Sequence, residues 1–125
     1  MAVPPKNLMN SFTHIELNTH DPTAAKDFYS KVFPDWKFED MPSPAGPYTM
    51  IKPSSGTGGG LFKNPMPEVP SFWLPYIQVE DIKASTTLAA KLGAKIIREN
   101  HDVGMGWISI LADPTGAAIG LFQSK

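Results

Sequence analysis

The feature that most constrains the fold of this 125-residue chain is an internal repeat with a period of sixty residues. When the sequence is laid on itself at that offset, Asp21 falls on Asp81 and Gly60-Leu61-Phe62 falls on Gly120-Leu121-Phe122. The register holds without a gap from the early part of each half to its end. A fixed period of this kind is typical of a duplicated unit, because one small copy buries too little apolar surface alone. We therefore expect a single domain made of two similar modules.

The two halves share a predicted element order of βαβββ. Polar and apolar residues alternate over Phe12–Thr19, so the sequence predicts a strand with His14, Glu16 and Asn18 on one face. Asp21-Pro22 combines an N-cap carboxylate with a proline suited to the first helical position, and the helix is expected to end before Pro34. The other predicted elements are strands at Trp36–Glu39, Tyr48–Lys52, Gly60–Phe62, Leu74–Val79, Ala94–Arg98, Trp107–Leu111 and Ala117–Gln123, and a second helix after Asp81 that ends at Gly93.

Residues 63–71 are expected to join the modules, which extend over about residues 10–63 and 72–123. The linker is rich in proline, which disfavours a helix or a central strand and favours a stiff extended segment. The sequence leaves open whether the modules pair within one chain or between two. The alternative fold is a ferredoxin-like α+β dimeric barrel, which would place fewer strands after each helix.

The composition of the chain argues against nucleic acids and membranes as binding partners. The formal net charge is −1 and the chain has no cysteine, so neither a phosphate-binding basic surface nor a disulfide framework is expected. No apolar stretch approaches the roughly 20 residues that span a bilayer, and the first ten residues, MAVPPKNLMN, contain no apolar signal region. The prediction is a cytoplasmic protein that binds neither nucleic acid nor membrane.

Several short motifs carry a family resemblance. They are His14-Ile15-Glu16-Leu17, the Asp21 cap, Phe28-Tyr29 within the first helix and the late turn Asp113-Pro114-Thr115-Gly116. In this combination the chain resembles the vicinal oxygen chelate superfamily, which includes glyoxalases, bleomycin resistance proteins and extradiol dioxygenases. The resemblance runs from about Asn10 to Gln123. It implies an α+β fold in which two βαβββ modules form a curved mixed sheet or barrel around a cavity, and it makes a homodimer the expected assembly.

The resemblance also implies four metal-ligand positions, one on the first and one on the last strand of each module. Here they are His14, Gly60, Leu74 and Gly120, of which only His14 can coordinate an ion. A catalytic divalent ion normally needs about three protein ligands, and adding Glu16 from the same strand makes a poor site. No metal and no cofactor are therefore expected.

The candidate catalytic residues are His14 and Glu16. Residues two apart on a strand point the same way, so the pair could act as a base and its orienting partner or hydrogen-bond a ligand. The competing interpretation is that His14 is a structural residue whose ring nitrogens find hydrogen-bond partners inside the barrel. His101-Asp102 is expected in a loop, either as a mobile rim of the cavity or as a solvated turn. The residues expected to line the ligand cavity are Phe12, His14, Glu16, Asn18, Phe62, Leu74, Tyr76, Gln78 and Phe122.

Three functions remain open from the sequence. The favoured one is a metal-free protein that binds a small, partly apolar or aromatic molecule. The alternative is a small-molecule enzyme, a lyase, isomerase or hydroxylase-like activity of the glyoxalase/dioxygenase type, with His14 and Glu16 as acid and base. The third is an interaction domain without a usable cavity.

Overall fold

The computed structural model describes residues 8–43 and 46–125. Residues 1–7, which make up most of the N-terminal stretch predicted to contain no signal region, lie outside the described residues. The described part contains two helices and eight strands in the order βαβββ-βαβββ. They are β1 (Phe12–Thr19), α1 (Pro22–Val32), β2 (Lys37–Met41), β3 (Tyr48–Lys52), β4 (Gly59–Lys63), β5 (Phe72–Gln78), α2 (Ile82–Lys91), β6 (Lys95–Asp102), β7 (Gly106–Ala112) and β8 (Ala118–Ser124).

His14–Leu74 forms one compact unit. Its strands lie in the order β2-β3-β4-β1, with β1 parallel to β4 and the other neighbours antiparallel. Helix α1 begins where the Asp21 carboxylate accepts a hydrogen bond from the backbone N–H of Ala24 at 3.0 Å. One face of the sheet packs against this helix. Its core consists of Leu17, Ile51 and Leu61, with Ala25, Tyr29, Trp36 and Phe38 packed against them.

Pro75–Lys125, together with the described residues as far as Thr13, forms the other compact unit. Its strands lie in the order β5-β8-β7-β6, and Asp81 caps α2 through the backbone N–H of Ala84 at 3.1 Å. Under α2, the hydroxyl groups of Thr86 and Ser109 are hydrogen-bonded to each other at 2.8 Å. Both side chains are almost fully buried. This contact therefore satisfies polar atoms that solvent does not reach.

Strand register confirms the repeat. Glu16 lies opposite Gly60 in the parallel pair β1–β4, and sixty residues later Tyr76 lies opposite Gly120 in β5–β8. Three strands follow each helix. The predicted α+β fold of two βαβββ modules is thus confirmed, and the ferredoxin-like alternative is excluded because it has fewer strands after each helix.

The structure corrects the prediction for His101-Asp102. These residues do not lie in a loop but end strand β6, where they pair with Ile108 and Trp107 of β7. The Asp102 carboxylate accepts a hydrogen bond from the N–H of Gly104 at 2.8 Å, which closes the turn immediately after the strand. The strand is longer than predicted because the sharp turn needs only the residues between 102 and 106.

No helix in residues 8–43 or 46–125 is long and apolar enough to cross a membrane.

Candidate functional site

A chain of hydrogen-bonded polar side chains lies on the face of the first-module sheet that does not pack on α1. Leu17 points to the helix, so its strand neighbours Glu16 and Asn18 point to the opposite face. The Tyr48 hydroxyl donates to Glu16 Oε2 at 2.9 Å and lies 2.6 Å from His14 Nε2. Asn18 Nδ2 donates to Glu16 Oε1 at 3.3 Å. We call His14, Glu16, Asn18 and Tyr48 the polar group.

Tyr48 reaches this position because the strand opposite has no side chain there. Tyr48 pairs with Phe62 across the antiparallel hairpin β3–β4, and Gly60 lies two residues before Phe62. A Cβ atom at Gly60 would overlap the Tyr48 hydroxyl and ring. The phenol therefore fills the space above Gly60, which brings its hydroxyl between His14 and Glu16.

The directions of the hydrogen bonds in the polar group favour one tautomer of His14. A phenol has a single proton, and Tyr48 donates it to Glu16. His14 Nε2 must then be the donor to the Tyr48 oxygen, so a neutral His14 carries its proton on Nε2. The two hydrogen bonds run in one direction, from the imidazole to the carboxylate.

Burial moves the two titratable groups in opposite directions. Desolvation raises the pKa of Glu16 above its ordinary value, and the hydrogen bonds from Tyr48 and Asn18 oppose that rise. Desolvation lowers the pKa of His14. The two pKa values are therefore displaced towards each other, a pattern that is common where side chains exchange protons.

An apolar surface continues from the polar group. The rings of Tyr48 and Phe62 lie 6.1 Å apart between centroids, and Phe62 also lines a depression of about 430 Å³. One wall is fixed by the buried Asn64, whose side chain bonds the backbone of Met66 and Val69, each at 3.0 Å. The residues that line the depression are His20, Gly46, Pro47, Phe62, Lys63, Asn64, Pro65 and Pro67.

Comparison with known protein families identifies the superfamily of the chain. The model of the Glyoxalase/Bleomycin resistance protein/Dioxygenase superfamily matches residues 11–121, which is most of the chain. The chain belongs to this superfamily.

Curated relatives of this superfamily chain have names of two kinds. A candidate glyoxylase, CFP32, from Mycobacterium bovis and Mycobacterium tuberculosis, is 34% identical over 117 residues, which are 89% of this chain and 44% of the relative. The anthracycline biosynthesis protein DnrV of Streptomyces peucetius is 26% identical over 124 residues, which are 86% of this chain and 45% of that protein. The chain thus spans less than half the length of the curated relatives it matches.

Solved structures show the same fold at low identity. Methylmalonyl-CoA epimerase from Mycobacterium tuberculosis has a TM-score of 0.68 and 13% identity, covering 98% of this chain and 93% of that one. A Streptomyces coelicolor methylmalonyl-CoA epimerase variant in complex with 2-nitronate-propionyl-CoA also has a TM-score of 0.68, with 17% identity over 94% of this chain and 98% of that one. These likenesses establish the fold alone.

The residues at the superfamily's expected ligand positions do not fit a metal ion. Gly60 has no donor, and the phenol of Tyr48 fills the space where its side chain would begin. The ring of Tyr76 fills the corresponding space above Gly120, and Leu74 has no donor atom. In the part of the chain that the structure describes, no three His, Asp or Glu side chains are grouped to hold a metal.

The predicted site residues fall into two sets. His14, Glu16 and Asn18 come together in the polar group, with Phe62 beside them through Tyr48. Leu74 is buried in β5 of the same compact unit. The others belong to the second unit: Phe12 is exposed, Tyr76 and Gln78 are buried, and Phe122 is half-buried. A ligand cavity lined by both sets stays a prediction.

Tyr48 is the site residue that sequence reasoning missed. The sequence predicts Tyr48 in a strand, but the alternation on β1 gives no information on which side chains of β3 share the face of His14 and Glu16. The available signal was the hairpin register. Once Phe62 is placed in the site, its antiparallel partner must share that face, and counting back across the Gly-rich turn reaches Tyr48.

Proposed function

We propose that this chain is a binding protein of the glyoxalase/bleomycin resistance type that holds a small, partly apolar or aromatic molecule without a metal ion. The observation that carries the proposal is the polar group beside Phe62: a few convergent hydrogen-bonding side chains next to an apolar wall are the usual composition of a small-molecule site. His14, Glu16, Tyr48 and Phe62 are each only partly buried, so a ligand can reach them. The name of the relative DnrV, an anthracycline biosynthesis protein, is consistent with an aromatic ligand.

The test is a ligand screen followed by a matched pair of histidine variants. Aromatic and amphipathic small molecules are titrated against the wild-type protein, and the best binder against His14→Ala and His101→Ala. His101 is an exposed histidine at the end of β6 and serves as the control. We expect only His14→Ala to lose affinity, with an unchanged free energy of unfolding.

Two results would contradict the proposal. One is a loss of stability without a loss of affinity in His14→Ala, which would make His14 a structural residue. The other is a stoichiometric metal in the purified protein by elemental analysis, together with stabilisation by that ion in a thermal-shift assay.

An acid–base enzyme is the second candidate, and a specific observation favours it. His14 and Glu16 are joined through one hydroxyl, and their pKa values are displaced towards each other. Such a pair can accept a proton at one end and release one at the other. The compounds found in the screen are incubated with the protein and followed by NMR. Conversion that Glu16→Gln abolishes while binding persists would establish the enzyme.

A further inference from the structure

Glu16 is a partly buried carboxylate whose hydrogen-bond donors are neutral. The phenol of Tyr48 and the amide of Asn18 are the donors to its two oxygens. Asp27, Glu39, Asp40 and Asp102 each form an ion pair with a lysine, but in residues 8–43 and 46–125 no ion pair involves Glu16. An ionised carboxylate in such surroundings is costly unless a cation compensates its charge.

His14 does not supply that cation. Its ring centroid lies 6.2 Å from that of Tyr48, and its Nε2 atom is hydrogen-bonded to the Tyr48 hydroxyl that donates to Glu16. Burial lowers the pKa of His14, which keeps the imidazole neutral at neutral pH. The polar group therefore contains no cation that compensates an ionised Glu16. Burial raises the pKa of this carboxyl for the same reason, and a cation carried by a ligand would remove that cost.

The surroundings of Glu16 suit an organic cation. The rings of Tyr48 and Phe62 are tilted by 37° and lie 6.1 Å apart, and aromatic ring faces attract ammonium groups within about 6 Å. Each carboxylate oxygen has two lone pairs, so both oxygens of Glu16 can accept a further donor beyond Tyr48 and Asn18. The depression next to Phe62, with three proline rings in its wall, offers space for an apolar body.

We infer that the ligand of this site is a protonated amine on an apolar or aromatic body, with the ammonium group bound by Glu16 beside the rings of Tyr48 and Phe62. This inference rests on the proposed function and names its ligand class. An ammonium ion donates to the carboxylate and removes the uncompensated charge, whereas a neutral hydroxyl in the same place only adds a third neutral donor. The site should therefore bind an amine more tightly than an alcohol of the same shape.

The experiment compares 2-phenylethylamine with 2-phenylethanol at pH 7.5 and low salt, with affinities from NMR titration. The two probes have similar size and shape but only the first is charged. We expect the amine to bind the wild-type protein at least about tenfold more tightly, the magnitude typical of a hydrogen bond to a charged group. Glu16→Gln should remove this preference and leave the affinity for the alcohol unchanged. Glu39→Gln, an exposed carboxylate on β2, is the control and should behave as wild type.

A second variant keeps the inference testable if Glu16→Gln does not fold. Phe62→Leu retains the carboxylate and removes one ring, so affinity for the amine should fall by about threefold more than affinity for the alcohol. Equal affinities of the two probes, or a preference that survives in Glu16→Gln, would overturn the inference. If an uncharged compound from the screen then binds in a His14-dependent manner, the proposed function stands and only the ligand class is wrong.

Discussion

Gly60 and its neighbour Gly59 should respond differently to the addition of one methyl group. At Gly60 a Cβ atom meets the Tyr48 side chain, which can rotate away, whereas at Gly59 it meets the backbone carbonyl of Ile15 on β1. We expect Gly60→Ala to cost about 1–3 kcal/mol of unfolding free energy. It should also break the hydrogen bonds that join Tyr48 to His14 and Glu16 and weaken ligand binding. Gly59→Ala should cost more.

Urea unfolding gives the stabilities of both variants, and the NMR signals of His14 show whether Tyr48 still bonds it. If Gly60→Ala leaves the His14 signals and ligand affinity unchanged, Tyr48 does not occupy the space above Gly60.

Glu16 should make the stability of the protein depend on pH. Its pKa is raised by burial, so the folded state holds the proton more tightly than the unfolded state, whose value is near 4.5. The stability that Glu16 contributes is therefore fully present below pH 4.5, and it is lost as the pH rises through the pKa of Glu16 in the folded state. The free energy of unfolding of Glu16→Gln should therefore rise relative to wild type between pH 4.5 and pH 7.5.

Urea titrations of both proteins at several pH values measure this difference in unfolding free energy. The contributions of groups that titrate in the same way in both proteins cancel when the two values are subtracted. His14 acts in the opposite sense, because its lowered pKa withdraws stability as the pH falls below its ordinary value of 6.5. A difference between the two proteins that falls with rising pH would show that Glu16 is not desolvated.

The N-caps of the two helices should have similar energetic weight. Asp21 and Asp81 lie sixty residues apart and make the same bond to the third following N–H, at 3.0 and 3.1 Å. Replacement of either by alanine should cost about 1 kcal/mol, and replacement by asparagine much less. Thermal unfolding of the four variants checks this. A cap whose removal has no effect would show that tertiary packing alone holds that helix in place.

Helix boundaries could be predicted from the sequence, but the buried faces could not. The cap carboxylate and the prolines define α1 locally, and the structure begins it at Pro22 as expected. In the sequence of α1, Phe28, Tyr29 and Val32 are spaced as one apolar stripe, which predicts that all three are buried against the sheet. Tyr29 packs on the core, whereas Phe28 and Val32 are 58% and 50% exposed. Periodicity selects an apolar face, but how much of it the sheet covers depends on the angle at which the helix lies.

The duplication predicted the fold, whereas the site depends on where the copies differ. The sixty-residue counterparts of His14, Glu16 and Tyr48 are Leu74, Tyr76 and Ile108, which are mostly apolar. The predicted β1 alternation placed His14 and Glu16 on one face correctly. It gave no information about Tyr48, because that contact depends on pairing between strands more than thirty residues apart. Local sequence patterns predict the helices and strands, whereas the site depends on the register of strands that are distant in the sequence.

The homodimer expected from the sequence can be assigned a testable face. Phe28, Val32, Phe33 and Trp73 are exposed apolar side chains of the His14–Leu74 unit. We expect a second copy of this chain to cover the apolar face of α1, since large exposed apolar patches mark association surfaces.

Phe28→Lys should then convert the dimer to a monomer in sedimentation velocity experiments, because it places a charge in the covered surface. Leu88→Lys is the matched control: Leu88 is the counterpart of Phe28 on α2 and is 55% exposed. A wild-type protein that sediments as a monomer at concentrations of tens of micromolar would refute the dimer. Dissociation by Leu88→Lys but not by Phe28→Lys would move the contact to the second module, and the excess of aromatic side chains on α1 would then need another explanation.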